Sequence, residues 1–190
     1  MKKVIAITGG IGSGKSVVSA VLLTMGFSVY DCDSRAKELM NSSSAIKEQL
    51  LSRFGEDVYM GDGTLNKVQL STIIFNDRQA LSYVNGVVHP VVKDDLQQWV
   101  DEQCRQPVFV ETAILGESGL DSFVNEVWNV TAPLETRVMR VMKRNATTRD
   151  KVIERINSQA DGYHNDNLPV KILINDGNTP LLTQIMKLID

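Results

Sequence analysis

Short runs of apolar, often β-branched residues alternate along this chain with stretches in which apolar side chains recur every three or four positions. The first kind covers Lys3–Thr8, Ser28–Asp31, Pro107–Thr112, Val124–Ala132 and Val170–Asn175. Most of these runs are apolar almost without a break, as strands covered on both faces are, and they predict a parallel sheet flanked by helices. Val17–Met25 is apolar nearly all round, which predicts a buried helix ending at Gly26. Between residues 34 and 105 the strand signal disappears. Ile46, Leu50 and Phe54 fall at helical spacing; so do Leu81, Val84 and Val88, and then Val92, Leu96 and Trp99. That stretch is too long for a simple crossover. It is expected to form a helical cap over the strand ends, where open α/β sheets bind ligands, and to hold an acceptor substrate. Within it Asn41–Ser44 (NSSS) reads as a short linker, and Pro90 as the first residue of a helix.

The first strand runs into ITGGIGSGKS, Ile7–Ser16. Gly9, four residues, then Gly14-Lys15-Ser16 match the phosphate-binding loop at every defined position. Its glycines let successive backbone N–H groups, among them those of Gly10, Ile11, Gly12, Ser13 and Gly14, curl around phosphate oxygens at the positive end of the helix that carries Val17. Lys15 can reach the β- and γ-phosphates, and the Ser16 hydroxyl can ligate Mg²⁺. A dinucleotide fingerprint would need a small residue at Lys15 or Val17, so a nucleoside triphosphate is the expected ligand. Asn66-Lys67-Val68-Gln69 lacks the Asp of the guanine-reading motif and comes too early in the chain. No signature of a transporter-type ATPase is present. One loop plus a helical insertion points to a small-molecule kinase.

Composition narrows the setting. A net charge of −3 over 190 residues argues against broad binding to nucleic acid or a membrane surface. Cys32 and Cys104 show neither metal spacing nor a disulfide framework, which suits a reducing cytoplasm. The start of the chain leads directly into a strand, so no signal peptide is expected, and no apolar run reaches membrane-spanning length. A monomer or weak homo-oligomer is expected.

Taken in order, further motifs resemble the dephospho-CoA kinase family. They are Thr8–Ser16 (TGGIGSGKS), Tyr30–Asp33 (YDCD), Phe54-Gly55, Gly63-Thr64-Leu65, Leu70, Phe75 and His89-Pro90. Arg137, Arg140 and Arg144, then Arg155 and Gln159, and the turn Asn175-Asp176-Gly177 complete the series. The resemblance implies a three-layer P-loop kinase fold: a five-stranded parallel sheet with a helical insertion as substrate cap and a helical lid. Residues 1–33 and 106–190 would form the nucleotide-binding core, with the lid at about 137–165; residues 34–105 would form the acceptor subdomain. The implied reaction is ATP-dependent phosphorylation of the ribose 3′-hydroxyl of dephospho-CoA, the last step of coenzyme A synthesis. A kinase of the same architecture acting on a nucleoside, nucleotide or sugar acid is the enzymatic alternative, and a non-catalytic ATP-sensing module is another.

The chain also departs from that pattern. Glu111–Glu117 reads ETAILGE, with Ala113 where the family commonly has Pro and Gly116 where it has an aromatic. Lys37 and Lys67 stand where the family has Arg, and Lys lacks the bidentate fork.

Several candidates carry two readings. On the residues alone Asp33 is an N-cap for a helix beginning near Arg35; by resemblance it is the general base for the acceptor hydroxyl, aided by Asp31. Arg137, Arg140 and Arg144 share one helical face beside Leu134, Val138 and Val141, either as a solvated basic stripe or as a lid clamping ATP. In the lid reading Arg140 and Arg144 are the ATP contacts, with Arg155 and Gln159 in support or merely hydrogen bonding at the surface. Glu111 is either a water-mediated Mg²⁺ partner or a solvated strand-end charge. By resemblance Thr8 and His89 lie on the substrate side, and the turn of Asn175 and Gly177 passes near the adenine. Thr179 reads as the N-cap of the last helix, and Trp99 and Trp128 as packing residues.

Overall fold

A computed structural model describes residues 2–159, 163 and 167–189. The chain folds as two compact units, Met1–Asp31 with Gln103–Asp190, and Cys32–Glu102.

The first unit holds five strands: β1 (Val4–Thr8), β2 (Val29–Asp31), β3 (Val108–Glu111), β4 (Glu126–Thr131) and β5 (Val170–Ile174). All pair in parallel, in the order β2-β3-β1-β4-β5. Each lies within two residues at either end of a run that the apolar pattern marks. Helices α1 (Lys15–Thr24), α6 (Leu134–Asn145), α7 (Arg149–Asn157) and α8 (Leu181–Ile189) complete the unit.

One face of the sheet packs Ile5, Ile7, Phe109, Trp128, Val130 and Leu173 against Val18, Leu22 and Ile185 of α1 and α8. Phe109 meets Phe27 edge-on at 5.5 Å and Trp128 at a tilt at 5.1 Å. The indole N–H of Trp128 donates to Glu126 Oε1 at 2.8 Å. Burial pushes the Glu126 carboxyl up, but that bond and the Lys3 ammonium outweigh it and hold the group below its ordinary range. Burial of α1 is one-sided, unlike the expectation from its composition. Val18, Ser19 and Leu22 are buried, whereas Val17 and Leu23 are about half exposed, at 49% and 55%. The apolar character of this helix exceeds what the sheet covers.

The second unit is helical: α2 (Cys32–Ser42), α3 (Ser44–Phe54), α4 (Lys67–Asn76) and α5 (Arg78–Glu102). Ile46, Leu50 and Leu96 are fully buried within it. NSSS is not a linker: α2 runs through Ser42 and α3 starts at Ser44. Ser43 alone joins them, its side chain accepting from the Ile46 N–H at 3.4 Å. Nor does Pro90 begin a helix; it lies inside the 25-residue α5. A proline there removes one N–H and crowds the carbonyl four residues back. That residue is Gly86, where a side chain would meet nothing within 4 Å.

Arg35 ties α2 to α5 through a fork on Asp95. Its Nε and Nη2 donate to the two carboxylate oxygens at 2.8 and 2.7 Å, while Nη1 reaches Glu38 at 2.8 Å. Among the described residues no helix is long and apolar enough to cross a membrane.

Candidate phosphate-binding site

The loop between β1 and α1 needs its glycines for two separate reasons. Gly9, Gly12 and Gly14 have φ of +142°, +78° and +100°, which L side chains rarely adopt. Neighbouring groups also lie too close for a Cβ: the Val130 carbonyl at Gly9, the Arg137 guanidinium at Gly10, the Arg137 carbonyl at Gly12 and the Asn175 amide at Gly14. The loop is therefore packed from behind by the end of β4, by α6 and by the turn after β5.

Four side chains hold its backbone. Arg137 Nε donates to the Ile11 carbonyl at 2.9 Å. Arg140 Nη1 lies 3.4 and 3.3 Å from the Gly12 and Ser13 carbonyls. Asn175 Nδ2 donates to the Ser13 carbonyl at 2.8 Å, and its Oδ1 receives Arg140 Nη2 at 3.4 Å. The Ile11 N–H donates to Gln159 Oε1 at 2.7 Å. Of the remaining amides, Ser13 N–H closes a turn onto the Gly10 carbonyl, and Val17 and Val18 N–H bond to Gly14. The N–H groups of Gly12, Gly14 and Ser16 have no hydrogen-bond partner among the described residues. Converging amides at a helix N-terminus make an anion site. Lys15 Nζ donates to the Gly9 carbonyl at 2.9 Å, within the same loop, and Ser16 is exposed.

Two carboxylates end the two successive strands on one side of β1. Glu111 of β3 pairs with Ile7 of β1 on one side and Asp31 of β2 on the other. Glu111 Oε2 accepts from Ser19 Oγ at 2.6 Å, one helical turn beyond Ser16. Ser19, buried at 6%, is the polar residue that the apolar reading of α1 passed over. A serine on the buried side of so apolar a helix was the available signal.

Asp33 does not cap a helix that begins near Arg35. α2 begins at Cys32, directly after β2, and places exposed Asp33 inside its first turn. The three α6 arginines diverge: Arg137 and Arg140 face the loop, whereas among the described residues Arg144 Nε reaches only Asn145, at 3.1 Å. Leu134, at the start of their apolar stripe, is 47% exposed, while Val138 and Val141 are buried. Arg155 is exposed on α7, and Gln159 lies beyond its end. Of the lid at about 137–165, residues 160–162, 164 and 165 lie outside the described residues. His89 is half-buried midway along α5 in the helical unit, and Lys37 and Lys67 are exposed on α2 and α4.

The turn after β5 is organised by Asp176 rather than by Thr179. The Asp176 carboxylate accepts from Thr179 N at 2.7 Å, Asn178 N at 2.9 Å and Thr179 Oγ1 at 3.1 Å. The backbone bond from Thr179, then that from Asn178, hold its carboxyl below the ordinary range. α8 starts only at Leu181, so Thr179 is not its cap. Gly177 takes φ +90° with nothing near it.

Beside the root of the loop lies a cavity of about 360 Å³, within the size range of small-molecule sites. Thr8 and Gly10, the segment from Ala113 to Glu117, Gln159 and Tyr163 line it. The Tyr163 ring packs on Gly116, 3.7 Å from where a Cβ would stand. An aromatic from elsewhere in the chain thus covers the position that lacks one of its own. No sequence pattern near Gly116 signals this.

The family model described as dephospho-CoA kinase matches residues 3–180. A protein of Bacteroides fragilis named dephospho-CoA kinase is 41% identical over 186 residues, 97% of this chain and 90% of its own length. One of Porphyromonas gingivalis with the same name is 43% identical over 155 residues, covering 82% and 76%. A crystal structure of a Thermus thermophilus protein, 31% identical, superposes with a TM-score of 0.83 and covers 99% of this chain and 96% of that one. The dephospho-CoA kinase of Campylobacter jejuni, 21% identical, shares the fold at a TM-score of 0.67 over 100% and 96%.

Proposed function

Because this chain belongs to the dephospho-CoA kinase family, we propose that its loop, strand-end carboxylates and α6 arginines move the γ-phosphoryl group of ATP onto the ribose 3′-hydroxyl of dephospho-CoA. The chain is a kinase, a transferase of coenzyme A synthesis acting on a small molecule. The observation that carries the chemistry is the loop itself. Among the described residues its Gly12, Gly14 and Ser16 amides have no hydrogen-bond partner, and they stand at the start of α1, next to Lys15.

The acceptor oxygen forms a bond to the γ-phosphorus as the bond to the β–γ bridging oxygen breaks, and ADP leaves with that electron pair. Asp33, in the first turn of α2, takes the hydroxyl proton. The loop amides and Lys15 stabilise charge spread over the transferring group. Arg140 and Arg144 close over the nucleotide, the backbone of Asn175–Gly177 borders the adenine, and Thr8 and His89 contact the acceptor held by residues 34–105. The cytoplasm is the expected place for this work, since both cysteines are free thiols.

Mg²⁺ suits the residues present. It keeps several waters and binds through one or two carboxylates together with substrate phosphates. The exposed Ser16 hydroxyl and Glu111, held by Ser19 one turn along α1, would hold it, with Asp31 on the adjacent strand. When bound, the ion neutralises charge on the β- and γ-phosphates.

ADP release measured across a panel of acceptors tests this reading. Release should depend on both dephospho-CoA and Mg²⁺, with little ATP consumed when no acceptor is present. Strong turnover with adenosine or gluconate and none with dephospho-CoA would overturn the acceptor; absence of any phosphorylated acceptor would overturn the transfer.

A further inference from the structure

We infer that Arg137 is a positioning residue for ATP: through the Ile11 carbonyl it aims the Gly12 N–H at the phosphates, as Asn175 aims the Gly14 N–H through the Ser13 carbonyl. The inference rests on the ATP-binding role of the loop, and it requires no particular acceptor.

A trans peptide is planar, and its C=O and N–H point in opposite directions. The only cis bond among the described residues is Gln106–Pro107, so Ile11–Gly12 and Ser13–Gly14 are both trans. The Ile11 carbonyl shares its plane with the Gly12 N–H, and the Ser13 carbonyl shares its plane with the Gly14 N–H. Arg137 Nε draws the first carbonyl towards α6 at 2.9 Å. Asn175 Nδ2 draws the second towards the turn after β5 at 2.8 Å. Each pull turns the opposite end of the same plane, an N–H without a partner among the described residues, to the other side of the loop. The intervening plane behaves differently, because its Ser13 N–H is already spent on the Gly10 carbonyl at 3.1 Å. Both of the planes held by Arg137 and Asn175 thus carry an amide donor, as the plane between them does not.

Steric fit supports the same assignment. The Arg137 guanidinium lies against Gly10 and its backbone carbonyl against Gly12, where a Cβ would stand 2.6 Å away. Arg137 therefore covers the loop from outside at both glycines. A charged donor on a carbonyl is also stronger than a neutral one, so the brace holds its plane without ligand. Pre-set donors need no reorientation when phosphate arrives.

Arg137→Ala and Asn175→Ala test this by direct titration of the full-length protein with ATP, which requires no turnover, alongside thermal unfolding and the KM for dephospho-CoA. Loss of one charge-assisted bond should weaken ATP binding by at least about tenfold in Arg137→Ala. The unfolding midpoint should move by no more than a few degrees, and the dephospho-CoA KM should stay within about twofold. Millimolar guanidinium should restore part of the ATP affinity of Arg137→Ala, which a purely structural defect would not allow. Should Arg137→Ala fail to fold, Asn175→Ala carries the same ATP-specific loss. Unchanged ATP affinity in either folded variant would overturn the inference, as would equal losses for both substrates with no recovery by guanidinium. Wild-type protein that binds ATP yet ignores dephospho-CoA would refute the acceptor assignment and leave this inference standing.

Discussion

Asp33→Asn should fold normally, bind ATP almost as well as the wild type, and lose about 10²–10⁴-fold in the rate of phosphoryl transfer. Asparagine is nearly isosteric with aspartate, and Asp33 is exposed in the first turn of α2. A negative charge near a helix N-terminus is worth about 0.3–1 kcal/mol. A purely structural Asp33 would therefore leave turnover close to normal. A base that takes the 3′-hydroxyl proton cannot be replaced by an amide that takes none. Thermal unfolding, ATP titration and single-turnover rates separate the two roles. Asp31→Asn should affect the chemical step less and shift the Mg²⁺ requirement instead, because Asp31 ends the strand beside Glu111. A stable Asp33→Asn protein with a near wild-type single-turnover rate would remove Asp33 as base and leave Asp31 and Glu111 as the remaining carboxylates.

Lys15→Ala should cripple transfer by about 10²–10³-fold or more while leaving the fold intact. Lys15 is only half-buried, and its ammonium bonds to the Gly9 carbonyl at 2.9 Å inside the loop rather than into the apolar core. Alanine at the first residue of α1 is also a good helix former. The mutant loses the counter-charge for the developing phosphoryl group, which the amides alone do not replace. Circular dichroism and unfolding should match wild type when kcat collapses. Near-normal turnover in the folded mutant would mean that the loop is not where transfer occurs.

The sheet and loop were legible because both depend on local pattern. The five strands read as short apolar runs, and Gly9, Gly14, Lys15 and Ser16 declare the loop by spacing alone; β1 is buried throughout as such a run predicts, whereas the edge strand β5, equally apolar, buries only Leu173. Element ends were less legible. α2 starts at Cys32, three residues before the expected point, and α5 continues through Pro90 because one lost hydrogen bond does not outweigh the buried stripe of Val84, Val88, Val92 and Leu96. The polar side chains that hold the loop were the hardest to read. Arg137 reaches Ile11 across 126 positions, and Gln159 reaches the same residue across 148. On a helix such an arginine has the same local signature as a solvated one. Arg144, two turns along, shows the difference: it shares the spacing but bonds only its neighbour Asn145 among the contacts seen. The Tyr163 ring over Gly116 likewise depends on a long-range approach that no local rule reports.

Transfer of the γ-phosphoryl group of ATP to the ribose 3′-hydroxyl of dephospho-CoA leaves a product that can be observed directly. Phosphorus NMR of a reaction containing the purified protein, ATP, Mg²⁺ and dephospho-CoA tests it most directly. One new phosphomonoester resonance should coincide with the 3′-phosphate of authentic CoA, growing in step with ADP and absent when dephospho-CoA is omitted. ATP hydrolysis to free phosphate without that resonance, or a phosphomonoester at a different position, would contradict it.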